Sequence, residues 1–189
     1  MASLSVNCPT PIGTRISTKV ADTNKSPHNT SKPMSKKNKG GIVYSTKPLS
    51  YRGVMIENFS IRFENGKVCE VHAEKNEDAL KTMVAMDEGA SMLGECALVP
   101  YDSPIRNSGI MFFNTLFDEN AACHLALGDG FCNCIRDYDK YTLEQCREMG
   151  VNYSMIHEDF MIGSEDLDIT GITASGEEIK IFRNGNWAF

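Results

Sequence analysis

Phe59-Ser60-Ile61-Arg62-Phe63-Glu64-Asn65-Gly66-Lys67-Val68-Cys69-Glu70-Val71-His72-Ala73 is the stretch from which the fold can be read. Phe59, Ile61 and Phe63 alternate with Ser60, Arg62 and Glu64, the period of a strand with one buried face. Asn65-Gly66 suits a two-residue hairpin turn, because that turn needs positive φ at its centre. Lys67–Ala73 then returns as the partner strand. The hairpin predicts a domain built on antiparallel sheet rather than a helical bundle.

Working outward, a helix is predicted directly after the hairpin. Asn76 stands as its cap, Glu77 and Asp78 occupy the first turn, and Gly89 ends it. Ala79, Leu80, Met83, Val84 and Asp87 follow 3/4 spacing, and Met83 and Met86 read as core filler. Before the hairpin, Ile42–Thr46 is rich in β-formers and stops at the breaker Pro48. After the helix, Glu95–Val99 reads as a short strand ending at Pro100, and Gly109–Phe113 as a second apolar run. Residues 101–108 between them are dense in turn formers. Thr142-Leu143-Glu144-Gln145 has the form of a capping box, opening a helix to Met149 that Gly150 closes. Met155–Ile162 is a further strand, and Ile169–Ala174 pairs with Glu178–Phe182 across Ser175-Gly176. The expected fold class is α+β, a mixed, largely antiparallel sheet with a few short helices.

Residues 1–41 are basic, rich in Ser, Thr and Lys, and show no hydrophobic period, so they read as a disordered tail. An organelle leader fits less well there, because Lys outnumbers Arg and no amphipathic helix is evident. The ordered domain is expected over residues 42–189. Residues 1–50 carry eight Lys/Arg against the single acid Asp22, whereas the remainder carries eleven against twenty-four. So acidic a body argues against a nucleic-acid groove and suits a protein that holds cations. No apolar run approaches the roughly 20 residues of a membrane span, and no signal-peptide core follows Met1. The seven cysteines are odd in number and form no framework, which favours a reducing compartment. Cys132-Asn133-Cys134 is too close for a CxxC pair.

Carboxylates and imidazoles recur in three short segments, and these are the ligands of zinc, cobalt or manganese. On the strand Met155–Ile162, residues two apart share a face, so His157 and Asp159 point one way together with Met161. Such a pair can serve one metal centre, or it can be an ordinary surface pair on an edge strand. Glu158 falls on the opposite face, among Ile156, Phe160 and Ile162, and does not fit an all-apolar surface. Glu119 and His124, five apart, share a face in neither helix nor strand. A turn through Asn120-Ala121-Ala122 would bring them together, with Asp118 capping it. Glu95 follows Gly94 and opens an apolar strand, as either a ligand or an exposed strand end. His28 lies in the basic tail, and His72 stands between Glu70 and Glu74 as a surface residue. Cys123 and His124 are adjacent, so on a strand they face opposite ways, and a thiolate–imidazole nucleophile is not expected. Neither HExxH nor a paired-cysteine motif occurs, so pattern alone names no class.

Longer runs carry a resemblance. They include Ser45-Thr46-Lys47-Pro48-Leu49-Ser50-Tyr51-Arg52-Gly53, Gly94-Glu95-Cys96-Ala97-Leu98-Val99-Pro100 and Phe117 to Gly128. Ile156-His157-Glu158-Asp159-Phe160-Met161-Ile162-Gly163-Ser164 and the terminal Phe182-Arg183-Asn184-Gly185-Asn186-Trp187-Ala188-Phe189 continue them. In this order the sequence closely resembles the C-terminal catalytic part of the aminopeptidase T / aminopeptidase S / PepS metallopeptidases, over roughly residues 42–189. The resemblance implies a cytoplasmic, homodimeric metallo-aminopeptidase acting on peptide substrates. It also implies two divalent metal ions, zinc, cobalt or manganese, with a hydroxide that they activate releasing the N-terminal residue. The positions matching the family's metal ligands are Glu95, Glu119, His124, His157 and Asp159, and Glu95 also matches the catalytic base or bridging residue. Two departures stand out. The family has one more glutamate ligand upstream of the Ser45–Gly53 match, whereas residues 1–50 contain no glutamate. Seven residues after His124, where the family has a tyrosine, the chain has Phe131. The family's N-terminal α/β domain has no counterpart, so a catalytic-domain fragment or a non-catalytic relative that keeps metal binding or subunit association are both readings of the chain.

Overall fold

A computed structural model describes residues 3–7, 16–19, 40–64, 66–135, 137–172 and 175–189. In chain order the strands and helices begin with β1 (Ser3–Asn7), β2 (Ile16–Lys19), β3 (Gly40–Tyr44), β4 (Leu49–Tyr51), β5 (Val54–Glu64), β6 (Lys67–Lys75) and α1 (Glu77–Val84). They continue with β7 (Leu93–Ala97), α2 (Pro104–Asn107), α3 (Thr115–Asp118), β8 (His124–Gly128), α4 (Leu143–Glu148), β9 (His157–Met161), β10 (Asp168–Ile172), β11 (Glu178–Arg183) and β12 (Asn186–Trp187). Every pairing between these strands is antiparallel. Sheet interspersed with short helices is the α+β class expected from sequence.

The hairpin forms as its pattern predicts. Glu64 pairs with Lys67, Gly66 takes φ +83°, and Phe59, Ile61 and Phe63 are buried while Arg62 and Glu64 are exposed. β5 is long enough to pair with β6 on one edge and with β3 and then β4 on the other. A separate three-stranded sheet, ordered β7-β8-β9, lies against this layer. The Phe59 and Phe160 rings meet at 5.7 Å, and Leu125, Leu127, Ile61, Leu80 and Met83 share their cluster. One face of the small sheet is thus fixed in the core, burying side chains worth about 1.5–3 kcal/mol each.

A third sheet runs β12-β11-β10-β1-β2, with Val6 opposite Ile169. β1 and β2 therefore come from the stretch read as a tail; the rest of residues 1–39 lies outside the described residues, and that expectation with it. The turn around Thr173 and Ala174 also lies outside them.

Three local expectations are corrected. Asn76 occupies the cap position of α1 with φ +60°, but its side chain donates to the Met55 carbonyl instead of capping the helix. α1 ends at Val84 rather than at Gly89; beyond its end the Asp87 carboxylate accepts from the Ala90 amide, the Ser154 hydroxyl and the Met155 amide. Gly109–Phe113 is not a strand: Ile110, Phe112 and Phe113 are exposed in a loop that finds no partner strand among the described residues. The Thr142 capping box forms in full, with both Thr142–Gln145 bonds present. No described helix is long and apolar enough to cross a membrane.

Candidate metal centre

Register within the small sheet sets the site. Glu95 on β7 lies opposite Ala126 on β8, and Ala126 lies opposite Asp159 on β9, so the three form one row across the sheet. His124 and Gly128, two positions either side of Ala126 on β8, share its face, and His157 is opposite Gly128. Beside His124, the middle strand contributes only the Ala126 methyl and the Gly128 hydrogen to this face. This leaves a shallow basin with Glu95, His124, Asp159 and His157 around it.

The distances bear out that convergence. His124 Nε2 is 3.5 Å from Glu95 Oε1 and 3.9 Å from Asp159 Oδ1. His157 Nε2 is 3.5 Å from Glu95 Oε2 and 3.5 Å from Asp159 Oδ1. One ligand atom each from Glu95, His124 and Asp159 falls within 4.8 Å of the others. The ring nitrogens are oriented from behind. His157 Nδ1 donates to the Asp129 carbonyl at 2.7 Å and His124 Nδ1 to the Ala122 carbonyl at 3.2 Å. A carbonyl only accepts, so both Nδ1 atoms carry hydrogen and both Nε2 atoms turn to the carboxylates.

Glu119 is delivered by the turn expected from its neighbours. Asp118 is buried and accepts from the Phe112 and Asn114 amides, and residues 119–121 form a single 3-10 turn. Ala122 is extended, which carries the chain into β8 and His124. The Glu119 carboxyl reaches Asp159, and burial first and the Asp159 charge second hold it above the usual carboxylate range. Glu95, His124, Asp159 and His157 thus converge on one face of the sheet, and Glu119 approaches them from the turn through Asp159. His72 stays apart, paired with Glu77 at 2.7 Å on the exposed hairpin.

Electrostatics show what the basin lacks. Asp159 Oδ1 is buried without a hydrogen-bond partner. Orphaned buried carboxylate oxygens cost stability unless something neutralises them. The Asp159 carboxylate beside it raises His157 to about 9, against the opposing effect of burial and with help from the Asp129 carbonyl. A proton on His157 answers part of the deficit, yet spacings of 3.5–3.9 Å are long for direct hydrogen bonds. They suit atoms that share a cation: metal–ligand bonds of about 2.0–2.2 Å in tetrahedral array set neighbouring ligand atoms roughly 3.3 Å apart. The donor set, two imidazoles and carboxylates with no thiolate, fits a hard or borderline divalent cation.

Cys123 takes no part in this chemistry. Its thiol donates to the Val99 carbonyl, and burial pushes it up to about 12, so no thiolate forms there. Close packing of backbone holds the basin together. A Cβ on Gly94 would lie 2.1 Å from the Asp129 carbonyl oxygen, and one on Gly128, at φ +99°, would lie 2.0 Å from that of Ile156. Asp87 and Asn152 were not singled out from sequence. Asp87 ties Ser154 and Met155 to the end of α1, and Asn152 donates to the Gly128 and Gly89 carbonyls. Asp87 was read only as part of the helical spacing and Asn152 in no pattern at all, because their partners are brought close only by the fold. Phe131, the residue expected where the related family has tyrosine, packs its ring on His157 with centroids 4.6 Å apart.

Comparison with known proteins follows the same direction. The model of the thermophilic metalloprotease (M29) family matches residues 31–187. Aminopeptidase AmpS of Bacillus subtilis (strain 168) is 56% identical over 149 residues, covering 79% of this chain and 36% of the relative. Aminopeptidase T of Thermus aquaticus is 44% identical over 147 residues, 78% of this chain and 36% of the relative. The solved structure of wild-type AmpT from Thermus thermophilus superposes with TM-score 0.80 at 32% identity, covering 99% of this chain and 50% of that one. The chain spans about a third of the length of the curated relatives it matches.

Proposed function

The chain belongs to the thermophilic metalloprotease (M29) family, and from that premise we propose that residues 42–189 form a metallo-aminopeptidase catalytic domain. Glu95, Glu119, His124, His157 and Asp159 are the proposed ligands of two divalent ions, zinc, cobalt or manganese. One observation carries the reading: both histidines face Asp159 Oδ1, but His124 faces Glu95 Oε1 and His157 faces Glu95 Oε2. A carboxylate presenting one oxygen to each imidazole would let Glu95 contribute to the ligand sets of both histidines. Two such ions, when bound, polarise the scissile carbonyl and lower the pKa of water.

The chain's own residues supply the rest. Asp129 and Ala122 carbonyls fix the imidazole tautomers so that both Nε2 atoms turn to the carboxylates, and of the base or bridging duties that Glu95 matches, its two oxygens favour the bridging one. Carboxylates gathered around the centre also favour a free α-amino group, which accounts for removing residues from the N-terminus of a peptide. The cytoplasmic, homodimeric setting rests on the resemblance.

A second reading, a non-catalytic relative that keeps the metal centre, draws on two features of this chain. Residues 1–50 contain no glutamate to serve as the family's further ligand, and Phe131 lacks the hydroxyl of the tyrosine. Turnover of leucine p-nitroanilide by the purified chain, with cobalt, zinc or manganese added, decides between them. The peptidase reading expects turnover that EDTA abolishes. Metal uptake without turnover selects the second reading, and turnover indifferent to EDTA overturns both.

A further inference from the structure

The four side chains around the basin are not equally open. His124 and Asp159 expose only 6% and 7% of their side chains, whereas Glu95 and His157 expose 29% and 22%. Solvent, and therefore any substrate, reaches the centre from the Glu95–His157 side. Phe131 stands on that side. Its ring lies 4.6 Å from the His157 ring, and 47% of the residue remains exposed. His157 turns Nδ1 to the Asp129 carbonyl and Nε2 to the carboxylates, so the phenyl ring takes up the remaining part of the imidazole surface. The exposed parts of Phe131 and His157 thus adjoin, making a half-open aromatic wall beside an acidic centre.

We infer that Phe131 is a specificity-determining wall, against which the side chain of a peptide's first residue packs, and that it selects aliphatic or aromatic residues. This rests on the peptidase reading above. A first residue held by its α-amine at the centre extends its side chain only a few ångströms, and the Phe131 ring packs directly on the ligand candidate His157, 4.6 Å between centroids. The ring presents no donor or acceptor, so a polar side chain gains nothing by replacing water there, while an apolar one removes two apolar surfaces from water. An acidic first residue fares worse still against the ring, because its carboxylate would give up hydration there with no donor in return. Adding or removing an apolar group in such a contact changes selectivity roughly 10–200-fold.

Amino-acid hydroxamates, which carry a first residue and a metal-binding head, provide the test. Binding of the leucine, phenylalanine, glycine and aspartate hydroxamates to the manganese-loaded chain is measured by calorimetry, with metal content determined in parallel. Leucine and phenylalanine hydroxamates are expected to bind at least about tenfold more tightly than glycine hydroxamate, with aspartate hydroxamate weakest. Phe131→Ala should bring the leucine and phenylalanine compounds down toward the glycine value. Phe131→Leu should keep the preference for leucine, which separates lost apolar contact from a disturbed His157. A leucine-to-glycine ratio unchanged in Phe131→Ala, or lost equally in Phe131→Leu, overturns the inference while leaving the metal centre standing. A chain that takes up no manganese overturns the peptidase reading and this inference with it.

Discussion

Ala126 lies between Glu95 and Asp159 in the row that crosses β7, β8 and β9, and it has no exposed surface. Its methyl group is small enough to leave the basin open. Ala126→Val puts two further methyl groups toward the ligands and is expected to cost about 1–3 kcal/mol of stability. Metal uptake should fall much further than that cost suggests, and thermal unfolding and metal titration of the same sample compare the two. A valine variant that binds metal normally would contradict the basin as drawn. His157 gives a second prediction, on pH. In the metal-free chain its folded value, about 9, lies above the ordinary 6.5. The stability it contributes is therefore complete below about pH 6.5 and is lost as pH rises through about 9. Metal must displace that proton, so apparent affinity should rise about tenfold per pH unit across this window and level off above it. Equilibrium binding of manganese between pH 6.5 and 9.5 checks the slope; a flat profile would mean that His157 is not a ligand.

Between elements, the contact that matters most is the passage of β7 against the chain leaving β8. Gly94 lets the Asp129 carbonyl approach, and that carbonyl receives the His157 Nδ1 hydrogen. Gly94→Ala places a Cβ 2.1 Å from that oxygen, so the backbone must move. The expected result is about 1–3 kcal/mol of destabilisation together with weaker metal binding, since the imidazole loses the carbonyl that orients it. Stability lost with metal affinity intact would show that the carbonyl is not essential to the ring's orientation. Much at this scale was legible in the sequence. The 59–73 hairpin, the Thr142 capping box and the shared face of His157 and Asp159 follow from periods and turn residues, because each is decided within about ten residues. The Gly109–Phe113 run was not legible, since apolar residues predict burial only where a neighbouring element covers them, and Ile110, Phe112 and Phe113 are exposed. Asn76 looked like a cap, but its side chain was taken by the Met55 carbonyl 21 positions away, a partner that no local pattern contains.

For the molecule as a whole, one side of the small sheet is spent on the core and the other on the proposed metal ligands. Leu125, Leu127 and Phe160 hold it to β5 and α1, and on the opposite face the ligands crowd like charges and leave Asp159 Oδ1 without a partner. The ligand residues themselves could be proposed from sequence, but their joining could not be derived from spacing, because Glu95, Glu119 and Asp159 come from segments that only tertiary pairing brings together. Such a centre destabilises the metal-free chain and is relieved by a cation, so folding and metal binding are coupled. The most direct test of the account is the metal content of the whole chain after exhaustive dialysis against manganese, zinc or cobalt, compared with its Glu95→Gln variant. The account predicts two ions per chain, removed by EDTA and reduced in the variant because one carboxylate serves both centres. A chain that retains no metal, or a variant that retains as much as the parent, would contradict it.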